Sequence, residues 1–257
     1  MENKNGSIAR RYENKVAIVA GAAKGIGRAT AIRLAKEGGT VGLLDHDLNE
    51  ARSVLDEIVE NGGSGRAAFC DVSQEDSVSN SVAEVIGALG SPTLVVNAAR
   101  SVRFAHFTEI PASEFNRIIS VNLYGTFLII KSVLPHLLGT GGSIVNFAGS
   151  SGVIGQAYTA SYGAASAGII QLSKSLAREL QDRGVRVNVI TSGGADITTL
   201  AHYGFPIGAA PRHMERMISP LGLPTPEEAA SLVAYLGSDD ARCITGTVVS
   251  IDGGVTT

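Results

Sequence analysis

The chain has 257 residues, 44% of them hydrophobic, and a formal net charge of −3. That length suits one large α/β domain better than two small ones, and the slight acidity excludes the broad basic surface that nucleic acid requires. The two cysteines, Cys70 and Cys243, show neither disulfide nor metal-ligand spacing and read as reduced, buried thiols of a cytoplasmic protein.

Residues 1–14, MENKNGSIARRYEN, lack the apolar stretch of a signal peptide and are expected to form a flexible tail ahead of a single domain over 15–257. KVAIVAG is a short buried strand, followed by a glycine-rich turn and the helix GRATAIRLAKEG. TVGLLDHD and the helix LNEARSVLDEIVENG come next, then the strand GRAAFCDVS and the helix EDSVSNSVAEVIGALG. TLVVNAA is a fourth strand, and residues 111–138 carry one long helix pattern. GSIVNFAG is a fifth strand, TASYGAASAGIIQLSKSLARELQDRG a long helix, VRVNVITSG a sixth strand and TGTVVSIDGG a seventh. Strands apolar on both faces, each followed by a helix, indicate a parallel sheet covered on both sides. Right-handed crossovers make it a doubly wound, Rossmann-type α/β domain with a seven-stranded parallel sheet. No apolar run approaches the roughly 20 residues that span a bilayer, so no membrane association is expected. Residues 193–220 are too long for a plain connection and are expected to form a lid over a site.

The turn after the first strand reads Ala20-Gly21-Ala22-Ala23-Lys24-Gly25-Ile26-Gly27. Gly21 permits the tight turn, and Gly25, Ile26 and Gly27 bring backbone N–H groups to a helix N-terminus that favours a pyrophosphate. Asp45 ends the second strand roughly twenty residues further on, where a carboxylate takes the ribose hydroxyls of NAD and repels a 2′-phosphate. Lys24 favours NADP instead, but Asp45 sits where the ribose would lie, so NAD is the expected cofactor. Asp71 and Val72, at the end of the third strand, are placed to meet the adenine.

Taken together, these motifs resemble the short-chain dehydrogenase/reductase family. The resemblance runs from about Lys15 to Thr257 through the glycine triplet, CDVS, VNLYGTF, YGAASAG, KSLARELQDRGVRVNV, SPLGLPTPEEAA and GTVVSIDGG. It implies a bound nicotinamide cofactor, a small-molecule substrate, and a homotetramer or homodimer packed through two long helices and the last strand. It also implies cofactor contacts from Asn97, Ala98 and Ala99 after the fourth strand. The family's chemistry uses Asn, Ser, Tyr and Lys. Asn122 matches the asparagine that holds a water in a proton relay, and Tyr162 matches the tyrosine that exchanges the substrate proton and touches the cofactor. Gly149 stands at the serine position and Ser166 at the lysine position. The family glycine after strand four is Arg100, and its Pro-Gly after strand six is Ser192-Gly193.

These departures gather at the cofactor and substrate positions while the scaffold letters hold. A phenol ionises near pH 10 unless a cation lies beside it. Loss of the lysine therefore puts at risk acid–base help worth roughly 10²–10⁴-fold. Loss of the serine removes a donor worth roughly 3 kcal/mol at an oxyanion. Lys174 cannot substitute, because twelve residues of helix place it about 18 Å along the axis from Tyr162. Ser150, one residue past the serine position, is a candidate substitute. Tyr158, Arg100, and His202 with Tyr203 in the lid are candidate substrate contacts. Arg100 either supplies a positive charge to the cleft or obstructs its nicotinamide half. His106, His136, His202 and His213 show no metal-ligand spacing with carboxylates, so no metal is expected. Two readings follow. One is an NAD(H)-dependent oxidoreductase acting on a small carbonyl, alcohol or activated alkene. The other is a non-catalytic protein of the same fold, a dinucleotide sensor or a structural subunit paired with an active relative.

Overall fold

The computed structural model describes residues 9–193 and 206–257. The strands are β1 (Val16–Ala20), β2 (Thr40–Asp45), β3 (Ser64–Phe69), β4 (Leu94–Asn97), β5 (Gly142–Gly149), β6 (Val185–Ser192) and β7 (Val248–Ile251). They form one parallel sheet in the order β3-β2-β1-β4-β5-β6-β7. The order reverses between β1 and β4, and a doubly wound sheet binds its ligand at the strand ends beside such a reversal.

Side chains alternate across the sheet and so build a core on each face. Ala17 and Val19 of β1 pack with Leu34 of α1 (Gly25–Lys36), Val54 of α2 (Leu48–Glu60) and Val233 near the chain's end. Ile18 and Ala20 pack on the other face, against Val82 of α3 (Glu75–Leu89) and Ile129 and Val133 of the long helix. That long helix comprises α4 (Ala112–Ile119), a π-helical turn at Ser120–Tyr124 and α5 (Gly125–Leu137). The stretch Ala112–Leu137, which holds an 18-residue window of mean hydropathy 1.5, is long and apolar enough to cross a bilayer by length and composition alone. This corrects the expectation that no run reaches that length, since a window of 18 residues keeps a high mean although polar residues such as Asn122 and Lys131 interrupt it. In the fold, Leu128, Ile129, Val133 and Leu137 are buried in the core.

The helix α6 (Ala160–Glu179) is shorter than expected and passes through a 3-10 turn to Gly184, whose φ of +70° lies in the left-handed region. β3 ends at Phe69 rather than Ser73. The Asp71 carboxylate accepts hydrogen bonds from the Ser73 N–H (3.0 Å) and Oγ (2.7 Å), which turns the chain out of the ladder. Two further helices, α7 (Pro211–Met214) and α8 (Pro226–Leu236), follow the described end of β6. The sequence reading had no helix at α8, although Thr225 and Glu228 form a capping box there.

The domain also begins earlier than Lys15. Tyr12 is fully buried and donates to the Ala234 carbonyl at 2.9 Å. Arg11 grips the buried Glu37 through two bonds, of 2.7 and 2.6 Å, and Arg33 adds a third of 2.6 Å. The expected flexible tail is therefore corrected for residues 10–14, because a buried carboxylate needs those cations.

Candidate active site

Two cavities open at the C-terminal ends of the strands. The larger, of about 660 Å³, runs from the glycine turn past β2 and β3 to the segment after β4. Gly25, with φ +53°, has open space where a Cβ would project, whereas a Cβ on Gly27 would sit 1.8 Å from the Gly21 carbonyl oxygen. A Cβ on Gly21 would sit 2.5 Å from the Ala99 nitrogen. The first and third glycines thus allow tight packing, and the second leaves a cradle. No side chain caps α1 and no acid lies in its first turn, so its terminal N–H groups remain available to an anion.

Asp45 lines this cavity, accepting from the Ala23 N–H (2.9 Å) through Oδ2 and the Asp47 N–H (3.0 Å) through Oδ1. A carboxylate has lone pairs left after two such bonds. The Asp47 carboxyl is held below its ordinary range by the Glu50 N–H and then by the Lys24 ammonium 3.5 Å away. Lys24, Gly25, Ile26, Asp71, Val72, Ala98 and Ala99 also line the cavity. Asn97 does not. Its amide donates to Asn146 Oδ1 (2.8 Å) inside the sheet, which corrects its expected cofactor contact. The cradle, the uncapped helix and Asp45 fit the phosphates and adenosine ribose of a dinucleotide.

The smaller cavity, of about 140 Å³, lies over β5 and β6. Tyr162 lines it from the first turn of α6, with Gly149 and Ser150 opposite. The Tyr162 ring rests against Gly149 so closely that a Cβ there would be 2.3 Å from Cε1. Ser166 is buried one helical turn later, and its Oγ accepts from the Gly149 N–H at 3.0 Å. Neither a lysine nor an arginine hydrogen-bonds Tyr162 among the described residues. Ser150 Oγ accepts from Gln156 Nε2 at 3.1 Å, so Gln156 already engages the candidate substitute hydroxyl.

Asn122, buried in the π turn, has both side-chain groups engaged. Its Oδ1 accepts from the Ser101 N–H and its Nδ2 donates to the Ser101 carbonyl, each at 2.7 Å. These two bonds hold the segment after β4 in place. The next residue back, Arg100, lines both cavities, and its Nη1 donates to Ser192 Oγ at 3.4 Å. The guanidinium therefore faces the cleft and not bulk solvent alone.

Tyr158 lines neither cavity. Its hydroxyl is hydrogen-bonded to His213 Nδ1 and accepts from the Ala210 N–H, both at 3.0 Å, at a left-handed φ of +64°. It fastens the segment before α6 to residues 210–213. His202 and Tyr203 lie outside the described residues. Met217 of the expected lid segment lines the smaller cavity, together with Leu223 and Pro224 beyond Pro220. Val102, Phe104 and Gln156 line it too and were not foreseen, since nothing in an irregular loop's spacing marks which side chains face inward.

This architecture and site define a nucleotide-binding oxidoreductase class. A family model described as enoyl-(acyl carrier protein) reductase matches residues 21–256. The uncharacterised oxidoreductase YxbG of Bacillus subtilis is 36% identical over 95% of the chain and 92% of its own length. The 2,5-dichloro-2,5-cyclohexadiene-1,4-diol dehydrogenase LinX of Sphingobium indicum is also 36% identical, over 96% and 98%. A solved dehydrogenase/reductase from Sinorhizobium meliloti superposes with a TM-score of 0.86 at 30% identity, covering 97% of this chain and 98% of its own. The chain belongs to the short-chain dehydrogenase/reductase family, whose members are oxidoreductases.

Proposed function

We propose that the chain is an NAD(H)-dependent oxidoreductase acting on a small carbonyl, alcohol or activated alkene, and that activated alkenes are its best substrates. The observation that carries this is the Ser166–Gly149 bond, which commits the residue at the lysine position to the backbone and leaves Tyr162 without a bonded cation. A phenol in that setting donates a hydrogen bond well and removes a proton poorly. Oxidation of an alcohol needs a base at the reacting oxygen. Reduction of an enone needs a donor there, because the developing enolate oxygen is stabilised by an aimed O–H.

Bound NAD(H) would supply the hydride chemistry. Gly25 and the α1 N-terminus would hold its phosphates, and Asp45 its adenosine ribose. Lys24 is paired with Asp47 at 3.5 Å, which leaves Asp45 and Asp71 at that end as negative charge without a lysine or arginine partner among the described residues, opposing a 2′-phosphate and favouring NAD(H) over NADP(H). Tyr162 donates to the substrate oxygen, and Val102, Phe104, Met217 and Leu223 cover its hydrocarbon body. The description of the matching family model as an enoyl reductase supports this substrate class, whereas the Sphingobium relative is named for oxidation of a ring diol. Phe115, Tyr124 and Phe127 are exposed along the long helix, an apolar face suited to the homotetramer or homodimer expected here.

A titration of NADH fluorescence, followed by enone reduction in wild type and Tyr162→Phe, tests the reading. It predicts NADH binding and a loss of about tenfold or more in the variant. A second reading, the non-catalytic dinucleotide binder, draws on the contact of Arg100 with Ser192 across the cleft. NADH binding with no turnover of any ketone, alcohol or enone would favour it.

A further inference from the structure

We propose that Arg100 and Ser192 form a carboxylate-binding subsite, so that the substrate is a small hydrocarbon body bearing one carboxylate away from its reacting carbon. The subsite presupposes that the smaller cavity is where the substrate reacts. Arg100 is the one charged side chain among the described residues lining that cavity. Other cations nearby have carboxylate partners: Lys24 faces Asp47 at 3.5 Å, and Arg117 and Arg103 share Glu114, at 2.7 and 3.9 Å. Arg100 has no carboxylate within ion-pair distance among the described residues. Its bond to Ser192 Oγ, at 3.4 Å, is long for N–H···O and commits one of five guanidinium donors.

A planar fork with free donors matches a carboxylate bidentately. The Ser192 hydroxyl beside it can donate to the same oxygen pair. The rest of the lining is apolar or uncharged: Val102, Phe104, Met217, Leu223 and Pro224 form walls, and Tyr162 stands at the reacting end. A wholly neutral ligand would leave the guanidinium without a partner. A ligand that is mostly charge would waste the apolar walls. Asn122 fixes Ser101 through two 2.7 Å bonds and so holds the backbone from which Arg100 projects, which limits the ordering cost on binding. Because Arg100 also lines the larger cavity, a cofactor phosphate is the competing source of negative charge.

Isothermal titration of the full chain with cyclohexanecarboxylate and with neutral cyclohexanecarboxamide tests the subsite without turnover. The acid is expected to bind about tenfold or more tightly than the amide, and Arg100→Gln to erase that preference. NADH, titrated into the same two proteins, should lose much less affinity than the acid does. Arg100 is exposed, so thermal melts of the variant should match wild type. Equal binding of acid and amide by wild type, or no binding of either, overturns the subsite. So does an Arg100→Gln variant that weakens NADH while keeping the preference for acid. A carboxylate preference that depends on Arg100, found in a protein that reduces no enone, would keep the subsite and reject the proposed chemistry. Turnover of neutral enones with no preference for acid would do the reverse.

Discussion

Ser166 Oγ accepts a hydrogen bond from the Gly149 N–H at 3.0 Å, so the two residues at the family's lysine and serine positions are bonded to each other. The short hydroxyl stays inside and satisfies a buried backbone donor. The missing Cβ at residue 149 lets the Tyr162 ring settle over the strand end. Gly149 thus makes room for the Tyr162 ring, and Ser166 satisfies the Gly149 N–H.

Ser166→Ala should leave the Gly149 N–H without an acceptor and cost about 1–3 kcal/mol in urea denaturation. Gly149→Ser alone should also destabilise, by about 1–3 kcal/mol, because its Cβ would lie 2.3 Å from Tyr162 Cε1 and the ring must move. Neither single variant is expected to gain alcohol oxidation. Stability equal to wild type in both would mean that the two positions are not coupled.

Arg11→Ala should destabilise the domain by about 3 kcal/mol or more, since it strips two bonds from the buried Glu37. Thermal and denaturant unfolding check this directly. A change within about 0.5 kcal/mol, as expected of surface sites, would return residues 10–14 to the status of a tail.

Much of this was legible in the sequence, for reasons that differ by element. The strands could be read because central parallel strands are apolar throughout, and the Asp45 and Gly27 positions because a tight turn constrains residue type. Tyr12 could not be read, because its partner, the Ala234 carbonyl, lies 222 residues away. The outcome at Ser166 was also hidden. Composition shows a missing ammonium, but only packing shows the hydroxyl turning to Gly149. The two bonds of Asn122 to Ser101 were likewise hidden, because they join residues 21 apart through an irregular segment.

Asp45→Ala should weaken NADH binding by about tenfold or more and narrow the gap between NADH and NADPH, because charged hydrogen bonds to ribose are lost together with repulsion of a 2′-phosphate. Fluorescence titration with both dinucleotides measures it. An unchanged NADH affinity would place the ribose elsewhere.

Cys70 is buried, and burial pushes its thiol up to about 11, while Cys243 is exposed. A thiol reagent at pH 8 should label one cysteine in the folded protein and two after unfolding. The folded value lies above the ordinary thiol value of 9.0. The stabilising contribution is therefore complete below that pH and declines as pH rises through about 11, because the unfolded chain gives up its proton first. Cys70→Ala should flatten that decline relative to wild type.

The most direct test is a paired rate measurement at saturating cofactor: reduction of 2-cyclohexen-1-one with NADH against oxidation of cyclohexanol with NAD, both near pH 7. A Tyr162 that donates but does not abstract predicts enone reduction faster by about a hundredfold or more, on the scale of one lost acid–base function. Cyclohexanol oxidation as fast as enone reduction, or no turnover of either compound, would contradict it.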